Sequence, residues 1–156
     1  MTTVAFLRPD SWDVPLFLHV LGAVLLFGAV ASAALLGLTS LRRTGPTALM
    51  LRRLAFRTVW LVIWPAFIVM RVAGQWIASK EFSDTGDPDW IGVGYIVGDG
   101  GVLVLAVLTL CAWLAVRQTS DTRPKPVTAT IATSVAGFYL LALAVAWFAM
   151  TAKPGA

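Results

Sequence analysis

Four long apolar runs dominate the chain: Val14 to Leu41, about Ala55 to Ala78, Ile91 to Val116, and Val127 to Thr151. Each exceeds the roughly 20 residues with which an α-helix crosses the hydrocarbon of a bilayer. The joints are hydrophilic or helix-breaking: Arg42-Arg43-Thr44-Gly45-Pro46, then Ser79 to Asp89, then Arg117 to Pro126 with Pro124 and Pro126. Short joints make successive helices antiparallel. The pattern therefore predicts an all-α polytopic membrane protein, a four-transmembrane-helix antiparallel bundle forming a single transmembrane domain over residues 1–156. No convincing internal repeat is visible, although two helical hairpins of similar size are compatible with a duplicated origin.

Composition sharpens this reading. The chain is 58% hydrophobic and only 13% charged, with a mean hydropathy of +0.82, far from the quarter-charged mix of soluble domains. No segment outside the four runs is long enough to bury a core of its own, so there is no room for a separate catalytic domain. A non-enzymatic protein is expected. The net charge of +4 and pI near 9.8 do not imply a nucleic-acid partner, because the basic residues flank the apolar runs, where topology explains them. Cys111 is the only cysteine, which excludes an internal disulfide, a thiol pair and a cysteine-based zinc site.

The start of the chain imitates a signal peptide, with Arg8, the apolar stretch from Val14 and the small triplet Ala31-Ser32-Ala33. Asp10 and Asp13 fit a basic leader poorly, so the segment is read as helix one. Lys and Arg near helix ends favour the cytoplasmic side. Loop one carries Arg42, Arg43, Arg52, Arg53 and Arg57, and loop three Arg117, Arg123 and Lys125, against Arg8, Lys80 and Lys153 on the other side. Asp10, Asp13, Glu81, Asp84, Asp87 and Asp89 gather on that second side. Both termini are thus expected to be extracytoplasmic, in a multi-pass protein of the bacterial inner (plasma) membrane. Trp12, Trp76, Trp90 and Trp147 near the outer boundary, and Trp60 and Trp113 nearer the inner one, read as interfacial anchors.

Three ionisable residues fall inside the apolar runs: His19, Arg71 and Asp99. At 1.5 Å per residue they lie about 8, 10 and 12 Å below the outer ends of their helices, one shared depth. A lone Arg or Asp there costs about 2.5 to 3.5 kcal/mol, so each must face the bundle, find a partner or reach water. Arg71 and Asp99 form the obvious pair. Gln75, one turn beyond Arg71, can satisfy leftover donors, and Tyr95 is similarly placed relative to Asp99. Such a group is either a structural bridge between helices two and three or part of a polar cavity that binds an ion, proton or small ligand. The helical neighbours of His19, Pro15, Gly22, Ala23 and Leu26, offer no side-chain acceptor. It must look across to another helix, either to hydrogen-bond Asp99 or a backbone carbonyl, or to carry a proton or ligate haem or copper.

Other signals are weaker. Gly92, Gly94, Gly98, Gly100 and Gly101 lack the spacing of a dinucleotide loop; Gly94 and Gly98 instead suit close helix packing. Pro65 removes a backbone donor and should distort helix two. Met70 is a candidate axial partner for a haem held by His19, yet neighbouring Met70 and Arg71 point about 100° apart and should not both face one site squarely. A single histidine excludes bis-histidine haem within one protomer.

The segment Leu18-His19-Val20-Leu21-Gly22-Ala23-Val24-Leu25-Leu26-Phe27-Gly28, followed by Trp64-Pro65-Ala66, Gly74 and then Trp90, resembles CopD-like (copper resistance D superfamily) membrane proteins. The likeness is greatest to bacterial integral membrane proteins of that group that have no assigned activity, and it covers most of the four-helix layout. The resemblance implies a four-helix bundle with a histidine near the outer end of helix one. Some relatives in the wider group are linked to copper handling and others to haem, which keeps His19 in view as a metal ligand. This chain departs from a metal-handling pattern, lacking further histidines and a methionine cluster, and that speaks against copper import.

The leading expectation is a transport-related, or small-ligand or ion-binding, membrane bundle with an outer-leaflet polar site of His19, Arg71, Gln75 and Asp99. There Arg71 supplies fixed positive charge, Asp99 its counter-ion, and His19 titrates or ligates. Two alternatives stand beside it. One is a haem-binding electron-transfer subunit using His19 with Met70, solvent or a second protomer. The other is an accessory subunit of a larger membrane complex, or a homo-oligomer, whose Gly and Ala faces pack on partner helices.

Overall fold

A computed structural model describes residues 13–81, 89–119 and 126–152. These form α1 (Asp13–Leu41), α2 (Gly45–Thr58), a π-helical turn (Val59–Ile63), α3 (Trp64–Glu81), α4 (Asp89–Gln118) and α5 (Val127–Ala152). The segment from α2 through α3 is continuous, so four spans are long and apolar enough to cross a membrane: Asp13–Leu41, Gly45–Ser79, Gly92–Gln118 and Val127–Ala152. The side chains of Lys80, Glu81, Asp89 and Trp90 lie outside the described residues, as do Arg8, Asp10, Trp12, Asp84, Asp87, Arg123, Lys125 and Lys153.

The first, third and fourth helices match the apolar runs closely. The second begins at Gly45, well before Ala55, so Arg52, Arg53 and Arg57 are helical and not loop residues. The reason is local. Gly45 takes a positive φ of 64°, a conformation that only glycine adopts without strain, and turns the chain straight out of α1. Pro46 follows in the first turn of α2, where its missing N–H has no partner to lose. Ala48, Arg52, Ala55 and Val59 then recur at helical spacing and are all buried, giving the arginine-rich segment one face that packs on α1 and α4.

Pro65 distorts the helix as expected, by a defined route. Its ring would clash with the carbonyl four residues back and cannot hydrogen-bond to it. The turn immediately before it widens to a π-helix, with the Trp64 N–H bonded to Val59 O, which makes room for the ring.

The spans form a ring in chain order. α1 packs along α2, α3 and α5, and α5 along α4; α2 closes on α4 at the end opposite the termini, whereas α3 and α4 approach each other less closely. The bundle is thus tighter at the loop end and splayed at the end where α1 begins and α5 finishes. Outward faces are apolar, with Phe17, Leu35, Leu61, Val72, Leu103 and Phe138 all exposed, the arrangement suited to lipid. Ser32, Thr39, Thr58, Thr133 and Thr151 return their hydroxyls to carbonyls one turn back, so these polar groups are satisfied within their own helices. Leu26, Val30, Ile63, Phe67, Leu105 and Tyr139 form a buried mid-bundle layer.

Candidate functional site

In the splayed half, above the buried layer, lies a cleft of about 450 Å³ lined by all four spans. Most of its wall is apolar, including Val20, Phe27, Ile77, Val97, Leu143 and Trp147, and its polar lining comes from His19, Arg71, Tyr95 and Thr151. The size falls in the range of small-molecule sites, and so does the mix of apolar wall and few polar groups.

His19 reaches across to α3, where its Nδ1 donates to Met70 O at 2.8 Å. A backbone carbonyl only accepts, so Nδ1 carries the hydrogen, and Nε2 of the neutral ring presents a lone pair. Two glycines make this contact attainable. A Cβ on Gly22 would stand 2.7 Å from Met70 N and 2.9 Å from Met70 Cα, so only glycine lets α1 and α3 come this close. A Cβ on Gly74 would stand 2.9 Å from His19 Nδ1 and 3.0 Å from Cε1, so that edge of the imidazole is seated in the space that Gly74 leaves on α3. Among the described residues, Nε2 has no hydrogen-bond partner.

Arg71 is held differently. Its Nε and Nη2 donate to Asp99 Oδ1 at 3.2 and 2.5 Å, its Nη1 donates to Gln75 Oε1 at 3.1 Å, and the guanidinium lies 5.4 Å from the centre of the Tyr95 ring. The Arg71 stem runs along Gly98, where an added Cβ would meet Cδ at 3.5 Å. The two charged side chains span the loose α3–α4 seam, Arg71 30% and Asp99 65% exposed. Thus Arg71 and Asp99 touch, Gln75 completes the shell, and His19 bonds to neither acid nor amide. His19 and Arg71 line the cleft; Gln75 and Asp99 hold Arg71 from outside it.

No protein-family model, curated protein or solved structure matches the chain. The resemblance to CopD-like proteins thus finds no support in these comparisons.

Three features refine the sequence reading. Met70 and Arg71 both line the cleft, which wraps around a broad face of α3, so that successive residues reach different parts of its wall. Gly94 lies where α4 packs on α5 and makes space for the terminal methyl of Met150, Gly98 makes space for the Arg71 stem, and the close backbone crossing falls at Gly22. A further ionisable residue, expected in loop one, lies inside the bundle. Arg52 is only 3% exposed and donates through Nη1 to Thr119 Oγ1 at 2.7 Å, joining α2 to the end of α4 beside a void of about 30 Å³. Its place next to four other loop-end arginines disguised it; the buried period through Ala48, Ala55 and Val59 is the signal that could have revealed it.

As for cofactors, among the described residues no three His, Cys, Asp or Glu side chains gather to hold a metal. His19 Nε2 is the one imidazole donor, its other nitrogen anchored as metal-binding histidines usually are, and Met70 and Met150 line the same cleft. This set would suit one axial ligation and supplies no further nitrogen or carboxylate.

Proposed function

We propose that this protein is a non-enzymatic membrane bundle that binds a small lipophilic ligand in the outer half of the membrane, either to hold it or to pass it on. The observation that carries the reading is the mostly apolar four-helix cleft lined by a fixed imidazole, one nitrogen of which has no hydrogen-bond partner among the described residues. Arg71 lines the cleft and is held from outside it by Gln75 and Asp99. Orientation with both termini outside follows from the arginines at the loop end, Arg42, Arg43, Arg53, Arg57 and Arg117.

The test uses the chain's own tryptophans. Trp147 lines the cleft and meets Phe27 edge-on with 5.8 Å between ring centres, so an apolar molecule entering the cleft changes its emission. Saturable quenching by alkylated aromatics in nanodiscs is expected, abolished by Ala146→Trp, which fills the cleft from α5. Quenching that rises without saturation, equal in both proteins, is plain partitioning into lipid and would refute a binding site.

Haem ligation is a second reading, favoured by one observation: Nδ1 of His19 is anchored to a carbonyl with Nε2 left over. Purification after growth with ample haem decides it. A Soret band lost in His19→Ala supports ligation; colourless protein rejects it.

A further inference from the structure

Which molecules fit the cleft is set by three constraints, of hydrogen-bond direction, charge and shape. We infer that the ligand is an uncharged, ring-bearing lipophile whose head carries a hydroxyl, a phenol or hydroquinone dissolved in the bilayer, and that this hydroxyl donates to His19 Nε2. The inference rests on the binding reading above and adds the chemistry of the ligand.

Direction comes first. The only hydrogen of the neutral imidazole is committed to Met70 O at 2.8 Å. Turning the ring over would put a carbon against that carbonyl and leave Nδ1 without its partner. The Nδ1–Cε1 edge is seated on α3 over Gly74, and Nε2 has no hydrogen-bond partner among the described residues. Nε2 therefore accepts. A ketone, ester or quinone head would set lone pair against lone pair there, whereas a hydroxyl supplies the missing hydrogen.

Charge comes second. Among the described residues Arg71 is the only cation lining the cleft, and its charge is already paired: Asp99 takes Nε and one hydrogen of Nη2, Gln75 takes one hydrogen of Nη1, and Tyr95 lies against the guanidinium. An anionic head would compete with Asp99 for this one positive charge and bring a second, uncompensated negative charge into a mostly apolar cleft. A cationic head would meet Arg71 without an unpaired acid in the lining. A neutral head avoids both costs.

Shape comes third. The lining includes an edge-to-face pair, Phe27 with Trp147, and a third ring, Tyr95, surfaces against which a flat ring can take the offset or edge-to-face arrangement that aromatic pairs prefer. The seam between α3 and α4, crossed near this level by the Arg71–Asp99 pair, gives the ring a route from the lipid.

The test compares 4-octylphenol with 4-octylanisole, which has nearly the same shape but no hydrogen to donate. Full-length protein in nanodiscs is titrated with each while tryptophan emission is followed. The phenol should bind about ten-fold more tightly, and the ratio should fall to near one in His19→Leu. Because His19 is the only histidine in the chain, protein labelled with ¹⁵N-histidine reports on it directly without a variant. The Nε2 resonance should move with the phenol and stay with the anisole, while Nδ1 holds its position. Equal saturable binding of both compounds overturns the hydroxyl inference and leaves the binding reading standing. Saturable binding of neither overturns both. A phenol preference that persists in His19→Leu, or that leaves the Nε2 resonance still, places the hydroxyl elsewhere and also overturns the inference.

Discussion

Asp99 offers a direct measure of how strongly one ion pair holds the splayed half of the bundle. Arg71 converges through two nitrogens on a single oxygen, at 3.2 and 2.5 Å. With side chains 30% and 65% exposed, the same pair in water would contribute about 0 to 1 kcal/mol. Hydrocarbon alters the balance, since a lone arginine there costs about 2.5 to 3.5 kcal/mol. Gln75 and Tyr95 remain to offset part of that. Asp99→Asn keeps the shape and one acceptor oxygen while removing the charge, so it should destabilise by about 1 to 3 kcal/mol. Asp99→Leu combined with Arg71→Met removes both charges and should be less harmful than either change alone. The coupling expected from a double-mutant cycle is about 1 to 2 kcal/mol, at or above the upper range for neutral hydrogen bonds between membrane helices. Unfolding of the four proteins in bicelles, followed by tryptophan emission, supplies the cycle. A coupling below about 0.5 kcal/mol would show that lipid or water solvates these charges as well as they solvate each other, and that the pair does not hold the splayed half together.

Other expectations follow from single contacts. Gly22→Ala should cost about 1 to 3 kcal/mol, because its Cβ meets the α3 backbone; Gly28→Ala, with nothing within 4 Å, is the control and should be close to neutral in the same melt. Tyr139→Phe should be neutral or stabilising by up to about 2 kcal/mol, since its hydroxyl is buried without a hydrogen-bond partner among the described residues; a loss above 1 kcal/mol would reveal a partner. Thr119→Val removes the acceptor 2.7 Å from Arg52 Nη1 and should cost about 1 to 3 kcal/mol. For orientation, a Cys111→Ala background with cysteine at position 42 or 151 should react with an impermeant maleimide from outside only at 151; labelling at 42 instead would invert the topology.

What the sequence disclosed depended on which physical cost was at stake. Inserting charge into hydrocarbon is costly, so Arg71, Gln75 and Asp99 could be grouped from spacing alone, and their contacts agree. Leaving backbone amides unpaired in lipid is also costly, so three of the four spans were legible to within a residue or two. His19 could be assigned to a neighbouring helix but not to Met70 O, because a backbone carbonyl leaves no mark in the residue types around it. The early start of α2 was hidden because Arg52, Arg53 and Arg57 lower its hydropathy, although Ala48, Arg52, Ala55 and Val59 share one buried face. The cleft itself arises from the divergence of α3 from α4 and from two glycines that seat α1 on α3, and relative helix placement is not written in any one segment.

The layer of Leu26, Val30, Ile63, Phe67, Leu105 and Tyr139, all at most 3% exposed, has an electrical consequence. It lies between the cleft and the small void beside Arg52, and no charged side chain belongs to it. Wherever the splayed end admits water or a polar head, the transmembrane voltage drops mainly across this thin insulating slab. One elementary charge carried through it would exchange about 2.3 kcal/mol with each 100 mV. A neutral molecule resting in the cleft exchanges none, so its occupancy is set by its concentration in the adjoining leaflet and is indifferent to whether the cell is energised.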